Sequence, residues 1–226
     1  MMSELIVEEI SNRGITRLCH FTKTNKLLHI LTSEDGIIAN LFLEDMKETL
    51  QKNDEKRLDN KEDYICCSVQ YTNAWYLKKI KEKDPVFKEW VIIFINPSIM
   101  GDDTTFFCYR NAASSGGTLV SNGYSAFSKM FDEEINGKYK IKRTKAMLLN
   151  STTDGQAEVL VYKNIPIEKI TSIGVQSEDQ ARNLSAIFQV LNIPYIPIII
   201  SPDLFTENWN RKVRNGQEIY EYLYEE

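Results

Sequence analysis

The chain is poor in the residues that most often carry metal or redox chemistry. It has two histidines, His20 and His29, and four cysteines, Cys19, Cys66, Cys67 and Cys108. No cysteines form a CxxC pair, so neither a zinc site nor a dithiol redox motif is indicated, and no metal is expected. Cys66 and Cys67 are neighbours in an apolar, strand-like run and point to opposite faces, as buried reduced thiols would. Cys–His chemistry through Cys19 and His20 is a weak candidate, because adjacent strand residues face apart. Long apolar runs are missing too. None approaches the roughly 18 residues needed to cross a bilayer, and Tyr195 to Ile200 is interrupted by Pro197. Met1 to Ile10 is acidic and lacks the basic-then-apolar pattern of a signal peptide, so a cytoplasmic location is expected. Nor is there an excess of positive charge. The net charge of −5 argues against a broad basic face that grips nucleic acid. Two local basic strips remain: Lys78, Lys79, Lys81 and Lys83, and Lys138, Lys140, Lys142, Arg143 and Lys145. Either serves as a solvated face or as a local contact for a polyanion.

What is present fits one folded unit. The 226 residues suit a single domain spanning 1–226, and 42% hydrophobic content fills a proper core. Met1 to Asn12 reads as an acidic amphipathic lead-in. Ile15 to Thr22 alternates as a strand, and Thr24 to Leu31 has helical spacing closed by Gly36. Asn40 to Asp63 reads as a charged, largely helical excursion, with an exposed helix end and loop from Gln51. Tyr64 to Val69 is a strand, and Thr72 or Asn73 caps a helix that starts at Ala74. Trp90 to Ile95 is almost wholly apolar, as expected for a central strand covered on both faces. Thr104 to Tyr109 is another strand, leading into a small flexible loop from Arg110 to Gly117. Asn122 to Phe131 is a short helix. Ser177 to Leu191 is a helix with a capping-box start, Ser177 and Gln180. Pro194 to Ile200 returns as a strand, and Trp209 to Tyr224 reads as a C-terminal helix.

The stretch that concentrates chemistry is Thr152 to Tyr162. Two threonines and Asp154-Gly155 make a strong turn signal. Ala157, Val159 and Val161 then alternate with Glu158, Leu160 and Tyr162, as in a strand. A lone carboxylate, Glu158, therefore stands at the mouth of a buried strand, just after a mobile loop. It is either an edge acid facing water or a used one, since a buried carboxylate costs free energy unless paired.

The string Thr-Asp-x-Gln-Ala-Glu-Val-Leu-Val resembles the segment that carries the catalytic glutamate in DarT-type ADP-ribosyltransferases, toxin enzymes that transfer ADP-ribose from NAD to nucleic-acid bases. Three further stretches follow in the matching order. They are His20-x-Thr22 with its helix and Gly36-Ile37-Ile38, then Ser68-Val69-x-Tyr71-x-Asn73-x-Trp75-Tyr76, then Phe107-Cys108-x-x-Asn111-Ala112-Ala113. The resemblance runs from about Ile15 to about Gly174. It implies a mixed α/β (α+β) fold of two bent central sheets around an NAD cleft, flanked by helices.

By the same resemblance Glu158 is catalytic, with Gln156 orienting acceptor or ribose, and NAD is the co-substrate. His20, Thr22, Tyr71, Asn73, Trp75 and Asn111 are the implied cofactor-binding residues. Many members place an Arg after the second strand, but this chain has none between Arg57 and Arg110. Lys79 or Lys78 then stands in for phosphate contact, without the bidentate fork of Arg. The implied acceptor is a base of single-stranded DNA, with RNA the alternative. The implied setting is a toxin–antitoxin or antiviral defence system, with an antitoxin protein as partner. Two other functions stay open: a protein-modifying ADP-ribosyltransferase, and a non-catalytic NAD-binding module.

Overall fold

The computed structural model describes residues 3–46, 61–84, 86, 88–137 and 139–225. Helix α1 (Glu4–Arg13) leads into strand β1 (Leu18–Lys23), helix α2 (Thr24–Thr32) and β2 (Ile37–Ile38). Next come β3 (Tyr64–Val69), α3 (Ala74–Lys83), β4 (Trp90–Ile95), β5 (Phe106–Cys108) and β6 (Ser121–Asn122). Helix α4 (Gly123–Lys129), the hairpin β7 (Glu134–Ile135) and β8 (Ile141–Lys142), then β9 (Glu158–Tyr162) and β10 (Asn164–Ile165) follow. The chain closes with β11 (Ile170–Val175), α5 (Glu178–Val190), β12 (Ile198–Ile200), α6 (Asn208–Arg214) and β13 (Tyr222–Leu223).

Among the described residues nine strands form one ladder in the order β13-β12-β11-β4-β1-β3-β9-β5-β6. Its two halves hang on a narrow seam. Strand β1 pairs with β4 over its whole length, from Leu18↔Ile95 to Lys23↔Trp90. With β3 it shares only Leu18↔Val69 and Cys19↔Ser68. Past that point the two strands part, and β3 runs on with β9 from Cys67↔Val159 to Tyr64↔Tyr162. The two expected sheets are thus halves of a single ladder that splits beyond Cys19.

Strand β4 explains the unbroken apolar run in the sequence. All six residues are buried. Val91, Ile93 and Ile95 point into one core, with Leu18, Leu27 and Val159. Trp90, Ile92 and Phe94 point into the other, with Leu77 and Trp209. Period-two alternation feeding two cores leaves no polar position. Each such side chain contributes roughly 1.5–3 kcal/mol on burial. Asn73 is the N-cap of α3, its Oδ1 accepting from Tyr76 N–H at 3.1 Å. Ser177 caps α5, with Oγ accepting from Gln180 N–H at 3.3 Å. Gly36 has φ +70°, and a Cβ there would lie 2.2 Å from the Ile165 carbonyl oxygen, so only glycine lets β2 approach β10.

Some expectations fail. The stretch after Asn208 is not one helix. Helix α6 ends at Arg214, Gly216 takes φ +73°, and Tyr222–Leu223 pairs with β12 as the last strand of the ladder. Asn40–Met46 is helical as expected, in the form of a 3-10 helix, and residues 47–60 of that excursion lie outside the described residues. The segment before Glu158 is not an exposed loop. Ser151, Thr152, Thr153 and Asp154 are all at most 4% exposed, because their polar groups are bonded inside the fold, as described next.

Candidate active site

Glu158 opens β9 at the seam side of the second half, opposite Cys108 of β5. It is 8% exposed. The Asn111 side-chain amide donates to Oε1 at 2.9 Å, and the Ala112 backbone N–H donates to Oε2 at 3.3 Å. A buried carboxylate so held is neither an exposed strand-end acid nor an unanswered charge. Its donors offset desolvation and fix its orientation.

The segment feeding Glu158 is a buried polar knot. Asp154 Oδ1 accepts from Gln156 N–H at 2.9 Å, and its carbonyl accepts from Ala157 N–H at 3.0 Å, which makes the turn before the strand. Thr152 Oγ1 donates to the Asp154 carbonyl at 2.9 Å and Thr153 Oγ1 to the Asp132 carbonyl at 2.6 Å. Arg143 donates to the carbonyls of Ser151 and Leu148, both at 2.6 Å. Burial holds the Arg143 guanidinium below its ordinary pKa, and Arg13 and Arg214 add repulsion. Arg214 donates to the Thr153 carbonyl at 3.4 Å. Asp154 Oδ2 lies 3.3 Å from Arg110 Nε. Burial pushes the Asp154 carboxyl above the usual range, against the downward pull of Gln156 N–H, Arg110 and Arg214.

Across the seam, His20 is the residue of β1 just past the last pair with β3. Its Nδ1 is 2.9 Å from the Cys66 carbonyl. A carbonyl only accepts, so Nδ1 carries the proton of this bond. Thr22 follows on the same face of β1 and is 1% exposed. Cys19 points the other way, its thiol donating to the Gln70 carbonyl at 3.4 Å, and burial pushes its pKa to about 11. That separates it from His20 and argues against Cys–His chemistry. Cys108, beneath the glutamate, is likewise pushed to about 11, chiefly by burial.

The third group lies on the β3–α3 connection. Tyr71 is 4% exposed, stacks on Trp209 at 4.9 Å and donates to Asn150 Oδ1 at 3.2 Å. Asn73 uses its Oδ1 for the α3 cap. Trp75 is half-buried, packs edge-on to Trp209 at 5.9 Å, and lies where a Cβ on Gly155 would stand 2.8 Å from its ring. The aromatic end of α3 therefore rests on the glutamate loop. Lys79 is exposed on α3, turned away from the buried Ala74, Leu77 and Ile80. Gln156 is half-buried in the turn before β9.

Sequence reasoning missed the packing partners. Trp209 joins Tyr71 and Trp75 from far along the chain, and Arg143 and Arg214 anchor the loop through carbonyls, a use that leaves no spacing signature. The second basic strip is partly answered in the fold, since Lys140 and Lys142 pair with Glu134 at 2.6 and 3.5 Å. Among the described residues no group of three or more His, Cys, Asp or Glu side chains could hold a metal, and no helix is long and apolar enough to cross a membrane.

Comparison with known proteins decides the family. The family model described as "ssDNA thymidine ADP-ribosyltransferase, DarT" matches residues 19–206. The chain belongs to the DarT family. Solved DarT structures share its fold. Thermosipho africanus DarTG in complex with ADP-ribose matches with TM-score 0.59 and 19% identity, over 84% of this chain and 51% of that one. This chain thus spans about half the length of that DarTG chain. Thermus sp. 2.9 DarT in complex with NAD+ matches with TM-score 0.56 and 16% identity, over 84% of this chain and 97% of that one. The same DarT in complex with ADP-ribosylated ssDNA matches with TM-score 0.55 and 15% identity, over 85% and 97%. No curated protein sequence matches the chain.

Proposed function

We propose that this DarT-family protein transfers ADP-ribose from NAD to a thymine base of single-stranded DNA, with Glu158 as its catalytic residue. The observation that carries this is the buried Glu158 carboxylate, held by Asn111 and Ala112 at the point where the two halves of the ladder part. The reaction breaks the bond between ribose C1′ and the nicotinamide nitrogen. Nicotinamide leaves neutral, and the ribose becomes oxocarbenium-like. A fixed carboxylate stabilises that charge without reorganising. As C1′ bonds the base nitrogen, Glu158 takes the proton that nitrogen loses. His20 and Thr22, on one face of β1, and Asn111, beside Glu158, are the residues assigned to NAD. Gln156, in the turn that Asp154 fixes, orients the acceptor, and the half-buried ring of Trp75 gives a flat surface beside it.

The likeness to DarTG supports a toxin role for this chain with an antitoxin as partner; we further propose that it acts in the cytoplasm, as one domain over residues 1–226. The test uses purified protein, NAD and separate pools of single-stranded DNA, duplex DNA, RNA and lysate protein. Mass spectrometry follows one added ADP-ribose. Addition to thymine-containing single strands, lost in Glu158→Gln, is expected. Addition only to protein or only to RNA would replace the acceptor, and full activity in Glu158→Gln would remove Glu158 from its role.

A further inference from the structure

Glu158 is held by two adjacent residues, Asn111 and Ala112, on the connection after β5. The residue before them, Arg110, reaches back to the segment that leads into Glu158. Arg110 Nε is 3.3 Å from Asp154 Oδ2, and both side chains are largely buried, 15% and 5% exposed. The other oxygen of Asp154 accepts from Gln156 N–H at 2.9 Å. One carboxylate therefore ties the turn that presents Gln156 to the connection that supplies two donors of Glu158. Space for this tie is built in. A Cβ on Gly137 would stand 1.3 Å from Arg110 Nη1, so the guanidinium passes over a bare backbone. Arg110 Nη1 also donates to the Tyr139 carbonyl at 3.4 Å.

We infer that Arg110 and Asp154 are positioning residues for the transfer reaction, clamping residues 110–112 to residues 154–158 so that Asn111 and Ala112 hold Glu158 in place. This rests on Glu158 being the catalytic residue. A shift of about 1 Å in a reacting group can cost about 100-fold in rate, so a clamp outside the reacting atoms is worth its buried charges.

The variant that tests it is Gly137→Ala. The three atoms nearest the added methyl all belong to the far end of the Arg110 side chain, which can move aside, so the fold is kept while the guanidinium leaves Asp154. Asp154→Asn is the second variant. It keeps the acceptor for Gln156 N–H and removes the charge. Two readouts are taken. The NMR signal of the Asn111 side-chain amide reports its bond to Glu158 without any substrate, with Glu158→Gln marking the signal's position once the carboxylate is gone. Steady-state transfer gives kcat and KM for NAD. Both variants are expected to move the Asn111 amide toward its Glu158→Gln position and to lower kcat about tenfold, with KM for NAD within twofold and melting temperature within a few degrees. An unmoved Asn111 amide in both variants would overturn the clamp whatever the activity, and so would wild-type kcat in Gly137→Ala with the amide displaced. A wild type inactive on every acceptor would count against the proposed function alone, because the amide signal still reads the clamp.

Discussion

Strand β4 and the segment Ser151–Asp154 are buried to nearly the same degree and are built from opposite chemistry. Every β4 side chain is apolar and goes to one of two cores. The four residues before Gly155 are all polar and at most 4% exposed. A buried apolar chain stabilises by leaving water, and it has no partner whose geometry must be met. A buried polar group costs a few kcal/mol if its partner is lost. Thr152, Thr153 and Asp154 are each answered by a partner with fixed geometry, so the segment is stiff at the point where it hands over to Glu158. The contrast separates two jobs. The apolar strand sets where the seam lies, and the polar segment sets how firmly the carboxylate is held there. Changes in the first should then cost stability and spare the chemistry, and changes in the second should reach the chemistry.

The largest effect is expected where the two regions meet. Trp209 is 1% exposed, lies in the core fed by β4, and abuts the site of Gly155 in the glutamate loop. Trp209→Ala should cost about 3–5 kcal/mol, read from denaturant unfolding, and should lower transfer as well because Tyr71 and Trp75 lose their common wall. Full activity with that stability loss would show the loop to be held from its other side alone. Next is Glu158→Gln, which should lower kcat by about 100- to 1000-fold, the size seen when one preorganised charge-stabilising group is removed. NAD affinity, measured by calorimetry, should stay within a few-fold. Smaller still is Ile93→Val in β4. It should cost about 0.5–1.5 kcal/mol and leave kcat and KM unchanged. A change in kcat there would blur the two jobs.

The same contrast marks what was legible in the sequence. Periodicity exposed β4, the α3 and α5 caps and the strand that starts near Ala157, because those elements are dictated by local alternation and by single capping side chains. Glu158 and Asn111 stood in local strings that could be compared with a family. The hydrogen bond that joins them spans β5 and β9 and has no trace in spacing. Polarity made Thr152 to Asp154 look like an exposed, mobile loop. The partners that make the segment rigid (Asp132, Arg143, Arg110 and Arg214) lie outside it, and no pattern internal to the segment announces them. The C-terminal stretch failed for a similar reason. Its aromatic spacing suits a helix, but the break after Arg214 and the free edge of β12 draw Tyr222–Leu223 into the sheet. Tertiary pairing overrode local preference.

The finest test of the contrast is the pH dependence of Asp154. Its carboxyl is raised above the ordinary range, burial being the largest cause and outweighing Gln156 N–H, Arg110 and Arg214. In the window between the ordinary and the raised value, the folded chain holds a proton that the unfolded chain has released. The contribution of this group to stability is therefore complete below the ordinary carboxylate pKa and is lost as pH rises through the raised one. Asp154→Asn does not titrate and resembles the protonated form at every pH. Its melting temperature relative to wild type should rise with pH across the carboxylate range and then level off. All other carboxylates cancel in that difference. A difference that falls with pH would mean that Arg110 more than offsets burial. Asp154 would then stabilise the fold through its charge, and the polar segment would share the job assigned to β4. A rising difference, together with lower kcat in the same variant, would show a charge kept at a cost to stability for the sake of holding Glu158.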